Sequence, residues 1–319
     1  MVWRAFLSGP FSAGLLLAVA ALGAGCHRAD RHKKLIAIVV PSQDNPYFKA
    51  EADAAAARAI ALGYRVRIDA HDDDAYRQDN LIDAAIASNA SALILDNAGS
   101  DASISAVRRA ANAGIAVFLI DREIQANGIA KAQIISDNDQ GARLVAAEFV
   151  RAIGSSGEYA ELIGRESDTN AQIRTKGFHA ILDNYPGLKR VAAQSANWSQ
   201  SEAFQKTETM LQAHGRILGI LAGNDTMALG AAAAAKSAGI KGLRIVGFDG
   251  SPDAVDAIRK GDLQATALQP AVVISRLAVN EADLFLRTGS TRVAERQVIP
   301  CDLVTRANAD DYRNFEKMR

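Results

Sequence analysis

The stretch LRIVGFDGSP (243–252) decides how this chain is read. Apolar residues run into Phe248, Asp249 stands where a buried strand must end, and Gly250 with Ser251-Pro252 opens a helix. A carboxylate at the mouth of a strand has two uses in an open α/β sheet. It holds a ligand outside the carboxyl end, or it caps the helix that follows. Asp249 alone does not separate the two, so the question passes to the ends of the other strands.

The longer stretch SAGIKGLRIVGFDG (237–250) has a counterpart in NAGIAVFLIDR (112–122): a helix stop at Ala-Gly-Ile, a buried strand, then an aspartate. Each closes a βα series. In the first, strands at 35–41 (LIAIVVP), 65–69, 92–95 and 116–120 alternate with helices at 47–62, 76–88 and 104–112. In the second, strands at 133–135, 159–163, 191–195, 217–221 and 244–246 alternate with helices at 139–153, 169–185, 200–213 and 226–238. A helix at 252–260, a strand at 265–268, a helix at 272–287 and a last extended piece at 297–304 follow, and the polar tail after Ala307 is expected as a small surface element. Continuous apolar strands linked by short turns to helices predict an α/β fold of two Rossmann-like lobes, each a parallel doubly wound sheet.

The length of 319 residues suits two domains, and the balance of 36 Lys+Arg against 36 Asp+Glu excludes the electrostatic footprint of a nucleic-acid binder. The first 26 residues are of another kind. Arg4 is followed by an uncharged segment from 5 to 25 with an apolar centre at 15–19, and Gly23, Ala24 and Gly25 lead into Cys26. This is the pattern of an export signal. Its ending resembles the lipobox of bacterial lipoproteins, which would make Cys26 the lipidated first residue and anchor the protein to the membrane. Leu22 lies one place further from Cys26 than that pattern has it, so a soluble periplasmic protein and a single-span anchor stay open beside the expected lipoprotein. Residues 27–34 form a charged tether. Cys301 is then a lone thiol, expected as a small core residue, and the spacing of His27 and His32 fits no metal motif.

Polar residues recur at the strand ends. Asn45, with Tyr47 and Phe48, follows the first strand; Asp96 and Asn97 follow the third; Asp121 and Arg122 follow the fourth. In the second series Trp198, Asn224 and Asp249 hold the same kind of position. Each has a plainer use: turn, helix cap, salt-bridged loop or core ring. Placed jointly across a cleft, they match a neutral polyhydroxylated ligand. Carboxylates accept from hydroxyls, Arg and Asn donate to them, and aromatic rings cover C–H faces.

From about 35 to 307 the chain resembles periplasmic sugar-binding proteins of the ribose-binding type. The likeness rests on DNPYF (44–48), IDR (120–122), SDN (136–138), IRTKGF (173–178), GNDTMALG (223–230), VGFDG (246–250) and ATALQ (265–269). It implies the type I two-lobed fold with a three-strand hinge near Ser136, Gln269 and Pro300. The N-terminal lobe would comprise 35–136 and 270–299, and the C-terminal lobe 137–269 and 300–319. It also implies that Asn45, Tyr47, Phe48, Asp121, Arg122, Arg174, Trp198, Asn224, Asp249 and Gln269 line a sugar site, and that the closed form meets the membrane permease of an ABC importer as a monomer without cofactor. Asp96 stands where ribose binders carry asparagine, and Tyr47 and Trp198 where they carry phenylalanine. Three carboxylates, Asp96, Asp121 and Asp249, then outnumber Arg122 and Arg174, which disfavours an acidic or phosphorylated sugar. A pentose, a small hexose or a sugar alcohol is expected.

Three rival readings are weaker. For an enzyme, the chain lacks a GxGxxG after its first strand, a Walker A loop and a GxSxG elbow, and Asp72, Asp73 and Asp74 read as a solvated helix start. A transcription regulator of the lactose-repressor type would need an N-terminal helix-turn-helix. A sensor presenting bound sugar to a membrane receptor has the same sequence features as a transporter component.

Overall fold

The computed structural model describes residues 34–318. The expected export signal, the Cys26 lipidation site and the tether up to residue 33 lie outside the described residues. The first series comprises β1 (Leu35–Val40), α1 (Pro46–Ala61), β2 (Arg65–Ala70), α2 (Ala75–Ala87), β3 (Ala92–Leu95), α3 (Ile104–Asn112), β4 (Ala116–Ile120) and β5 (Ala132–Ser136). The second comprises α4 (Asn138–Ile153), β6 (Ser156–Ile163), α5 (Thr169–Leu182), β7 (Gly187–Ser195), α6 (Gln200–Ala213), β8 (Ile217–Ala222), α7 (Asp225–Ser237), β9 (Arg244–Asp249), α8 (Pro252–Lys260) and β10 (Ala265–Leu268). The chain then returns through α9 (Ala271–Thr288) to β11 (Arg296–Ile299) and β12 (Asp302–Thr305).

The strand orders are β11-β5-β4-β3-β1-β2 and β12-β10-β9-β8-β6-β7, so the two sheets repeat one topology. Within these two sheets, among the described residues, every pairing is parallel except that of β12 with β10. The apolar run of β1 is buried throughout because both faces are covered. Ile36, Ile38 and Val40 pack in a core with α1 and α9, whereas Leu35, Ala37 and Val39 pack with α2 and α3. In the second sheet α4 and α5 cover one face, and α6, α7 and α8 the other. The strand order reverses between β1 and β3 and again between β6 and β8, which opens a crevice at the carboxyl edge of each sheet.

Three expectations change. The extended piece at 297–304 is two strands. Pro300 and Cys301 interrupt it, β11 pairs in parallel with β5 of the first sheet, and β12 runs antiparallel to β10 of the second. The tail is more than a surface element. After a 3-10 turn (Ala309–Asp311), β13 (Tyr312–Arg313) pairs with β14 (Glu316–Lys317), and Tyr312 and Phe315 are buried. Arg259 of α8 bonds Asp310 at 3.0 Å and Arg276 of α9 bonds Glu316 at 2.6 Å, so the tail grips a helix from each series. The second-series helix expected to reach Tyr185 ends at Leu182, in keeping with the bias against helix before Pro186.

Candidate ligand-binding site

Ten of the eleven residues singled out from sequence line one small space between the lobes, about 20 Å³ in volume: Asn45, Tyr47, Phe48, Asp121, Arg122, Arg174, Trp198, Asn224, Asp249 and Gln269. Asp168 and Asn170 complete its wall. The eleventh residue, Asp96, is fully buried and stands behind that wall, 3.5 Å from Arg122 Nε. A wider groove of about 870 Å³ runs along the mouth and shares Asn45, Phe48 and Trp198, but it lacks Asp121, Arg122, Arg174, Asp249 and Gln269. The small inner space therefore carries the chemistry.

The alternative uses of these side chains separate clearly. Asn45 and Asn224 are helix caps: Asn45 Oδ1 accepts from Tyr47 N at 3.0 Å and Asn224 Oδ1 from Met227 N at 2.9 Å. Asp249 is not one. Ser251 caps α8, its Oγ accepting from Ala254 N, and this leaves the Asp249 carboxylate to the interior. The register of β9 on β10 sets Leu268 beside Asp249, so Gln269 Nε2 reaches Asp249 Oδ1 at 2.9 Å. Arg174 Nη1 donates to the same oxygen at 3.3 Å and to Gly223 O at 2.8 Å, while its Nε donates to Asn138 Oδ1 at 2.7 Å. Its guanidinium lies 3.9 Å from the Phe248 ring centroid and 5.4 Å from that of Trp198.

In the opposite wall Tyr47 Oη donates to Asp121 Oδ1 at 3.2 Å, and Arg122 lies 5.0 Å from the Phe48 ring centroid. Arg122 Nη1 donates to Asp73 Oδ1 at 2.7 Å and to Asn97 O at 3.0 Å, and Asn97 Nδ2 donates back to Arg122 O. Arg122 Nε is 2.8 Å from Asp168 Oδ2. Burial opposes the Arg122 charge, yet Asp168, Asp96, Asp73 and Asp121 more than offset it and hold the guanidinium protonated. Burial pushes the Asp121 carboxyl up to about 6 against the pull of Arg122, and pushes Asp249 upward against Arg174.

Glu51 lies one turn beyond Tyr47 in α1 and is fully buried beside Asp96. None of the four oxygens of this pair has a hydrogen-bond donor. Burial drives both carboxyls well above their ordinary range, against the lowering pull of Arg122. Cys301 is buried beside Gly141, and burial pushes its thiol up to about 12, which leaves it inert.

Three cavity residues hold left-handed backbone without being glycine: Asp121 (φ 58°), Trp198 (φ 65°) and Asp249 (φ 119°). Such conformations are held by the surrounding fold at ligand sites and are invisible in a sequence pattern. Sequence reasoning missed Asp168, Asn170 and Glu51. Asp168 caps α5, its Oδ1 accepting from Asn170 N at 2.9 Å, so its D-T-N context reads as an ordinary helix start. Glu51 sits in an alanine-rich helix, where a lone acid reads as solvent-facing.

A family model described as periplasmic binding protein domain matches residues 36–290. A D-apiose import binding protein from Paraburkholderia graminis is 58% identical over 281 residues, covering 88% of this chain and 90% of its own. The ribose import binding protein RbsB of Haemophilus influenzae is 34% identical, covering 79% and 85%. Among solved structures, an ABC transporter periplasmic solute binding protein from Actinobacillus succinogenes with bound D-allose superposes with a TM-score of 0.82 at 28% identity, covering 88% of this chain and all of that one.

Proposed function

This chain belongs to the periplasmic binding protein family, and on that premise we propose that it is the sugar-binding component of an ABC importer, with D-apiose as its ligand. The observation that carries the ligand is the 58% identity, across nearly the whole of both chains, with a D-apiose import binding protein. The inner space supports it. Its carboxylates and amides suit the hydroxyls of a small branched pentose, and Tyr47, Phe48 and Trp198 bring aromatic faces to C–H surfaces. Gln269 Oε1 is buried with no hydrogen-bond partner in the protein, so an acceptor at the wall is left for a ligand hydroxyl. Both guanidinium groups already face protein carboxylates, which favours a neutral sugar over an acidic one.

In this reading the residues lining the space, with Asp96 behind them, hold the sugar, and no bond of the sugar is broken. The lobes, 35–136 with 270–299 and 137–269 with 300–319, close about the three crossings near Ser136, Gln269 and Pro300. The closed monomer delivers its ligand to a membrane permease, and a lipid on Cys26 tethers it to the membrane. A thermal-shift screen across D-apiose, D-ribose, D-allose, myo-inositol and other neutral sugars tests the ligand. D-Apiose is expected to raise Tm most; a larger shift with another sugar reassigns the ligand, and no shift with any of them contradicts sugar binding. Cys26→Ser is expected to release the protein from membranes, and an unaltered membrane fraction removes the anchor.

A further inference from the structure

A chain of alternating charges crosses the cleft beside the inner space. Arg165 and Asp168, in the loop between β6 and α5, belong to the second sheet; Asp73 and Arg122, after β2 and β4, belong to the first. Arg165 Nε lies 3.5 Å from Asp73 Oδ2, Asp73 Oδ1 accepts from Arg122 Nη1 at 2.7 Å, and Arg122 Nε lies 2.8 Å from Asp168 Oδ2. Two of the three pairs thus join the lobes, and the middle one lies within the first. Asp73, Arg122 and Asp168 are at most a tenth exposed, so water screens them little. Nε of Arg122 has no aligned hydrogen-bond partner, which makes its contact with Asp168 an ion pair held by position.

The same Asp168 Oδ2 accepts from Trp198 Nε1 at 3.1 Å, while Oδ1 is fixed by the start of α5. The indole is held from beneath as well: a Cβ on Gly164 would fall 2.0 Å from the Trp198 ring. One rigid carboxylate therefore sets the aromatic wall of its own lobe and meets the central arginine of the other.

We propose that Asp168 is a positioning residue that couples assembly of the ligand cavity to lobe approach, through the ion-pair chain Arg165, Asp73, Arg122 and Asp168. This rests on the sugar-binding reading above. When the lobes part, Arg122 leaves with Asp73, and Asp168 keeps only the indole and its helix. When they meet, Asp168 matches the Arg122 charge that an anionic ligand would otherwise seek, so the device also favours neutral ligands.

The test uses the full-length protein with Asp168→Asn, Asp168→Ala and Asp73→Asn. It reads D-apiose affinity, tryptophan emission and solution X-ray scattering without ligand. Trp198 supplies the signal, the chain's other tryptophan, Trp3, lying within the expected export signal. Asp168→Asn keeps an acceptor for the indole and loses the charge. It is expected to bind about tenfold to a hundredfold more weakly with unchanged emission, the scale of a bond to a charged group. Asp168→Ala should also shift the emission. Asp73→Asn, at the rim and outside the cavity wall, should weaken binding with no spectral change. Wild-type affinity in both asparagine variants overturns the proposal. Should the wild-type protein bind none of the sugars, the ligand reading fails separately, and scattering still judges the ion-pair chain: a larger radius of gyration in the variants than in the wild type supports it, and one radius throughout refutes it.

Discussion

Asp121 ties ligand affinity and protein stability to pH with opposite signs. Its carboxyl rises from an ordinary 3.8 to about 6 in the folded protein because it is buried, against the lowering influence of Arg122. A folded value above the unfolded one means that the folded state binds the extra proton. The corresponding stability is present below about pH 4 and is lost as pH rises through about 6. Asp121→Asn should flatten the slope of Tm against pH in that window, and an unchanged slope would assign the slope to other groups. A sugar hydroxyl donating to the ionised carboxylate favours the charged form. Binding should therefore release a proton, and affinity should rise as pH increases from 5 to 7; calorimetry in buffers of different ionisation enthalpy checks the sign. Asp249 carries a second prediction. Because Ser251 caps α8, Asp249→Asn is expected to weaken sugar binding by about 1.5 to 3 kcal/mol, the scale of a hydrogen bond to a charged group. Unchanged affinity would return Asp249 to a purely structural place. At this scale the sequence shows the strand-end residues, since a polar side chain closing an apolar run stands out. It hides Asp168 and Glu51, whose neighbours make them read as an ordinary cap and an ordinary surface acid.

At the level of elements, the alternation of buried strand and helix was legible because each run is short, apolar and closed by a turn signal, as β4 and β9 are. Where an element's end depends on tertiary pairing, the pattern is silent. The pattern of QVIPCDLV (297–304) reads as one extended piece, and only the resemblance sets a crossing near Pro300, before which Val298 pairs beside β5 and after which Leu303 pairs beside β10. The close seating of Trp198 on the turn after β6 is equally hidden, because it needs the absence of a side chain at Gly164. Gly164→Ala is expected to force the indole off its bond to Asp168, lowering stability by about 1 to 3 kcal/mol and blue- or red-shifting the Trp198 emission. A variant with wild-type melting and emission would show that the ring has room to move. Gly230 makes a comparable approach, where a Cβ would lie 2.3 Å from Gln200 O between α6 and α7, and Gly230→Ala should lower Tm without changing the emission.

For the whole molecule, the two similar endings at 112–122 and 237–250 foretell the repeated strand order of the two sheets, while the role of the tail comes from the structure alone. Phe315 meets Tyr47 edge to face at 5.7 Å, and the tail's ion pairs to α8 and α9 hold it against both series. Phe315→Ala should loosen Tyr47 and weaken sugar binding with little change at Arg174, a loss that a tail without contact to the site would not produce. If the inner space receives one neutral sugar, the molecule is a one-to-one sugar binder. Saturating ligand at about a hundred times Kd would then stabilise the fold by about 2.7 kcal/mol. The decisive measurement is calorimetric titration of the purified protein with D-apiose, with D-ribose in parallel. Saturation is expected at one D-apiose per chain, tighter than D-ribose and abolished by the pair Asp121→Ala and Asp249→Ala; absence of heat with both sugars and with every other neutral sugar of the screen would overturn sugar binding at this site.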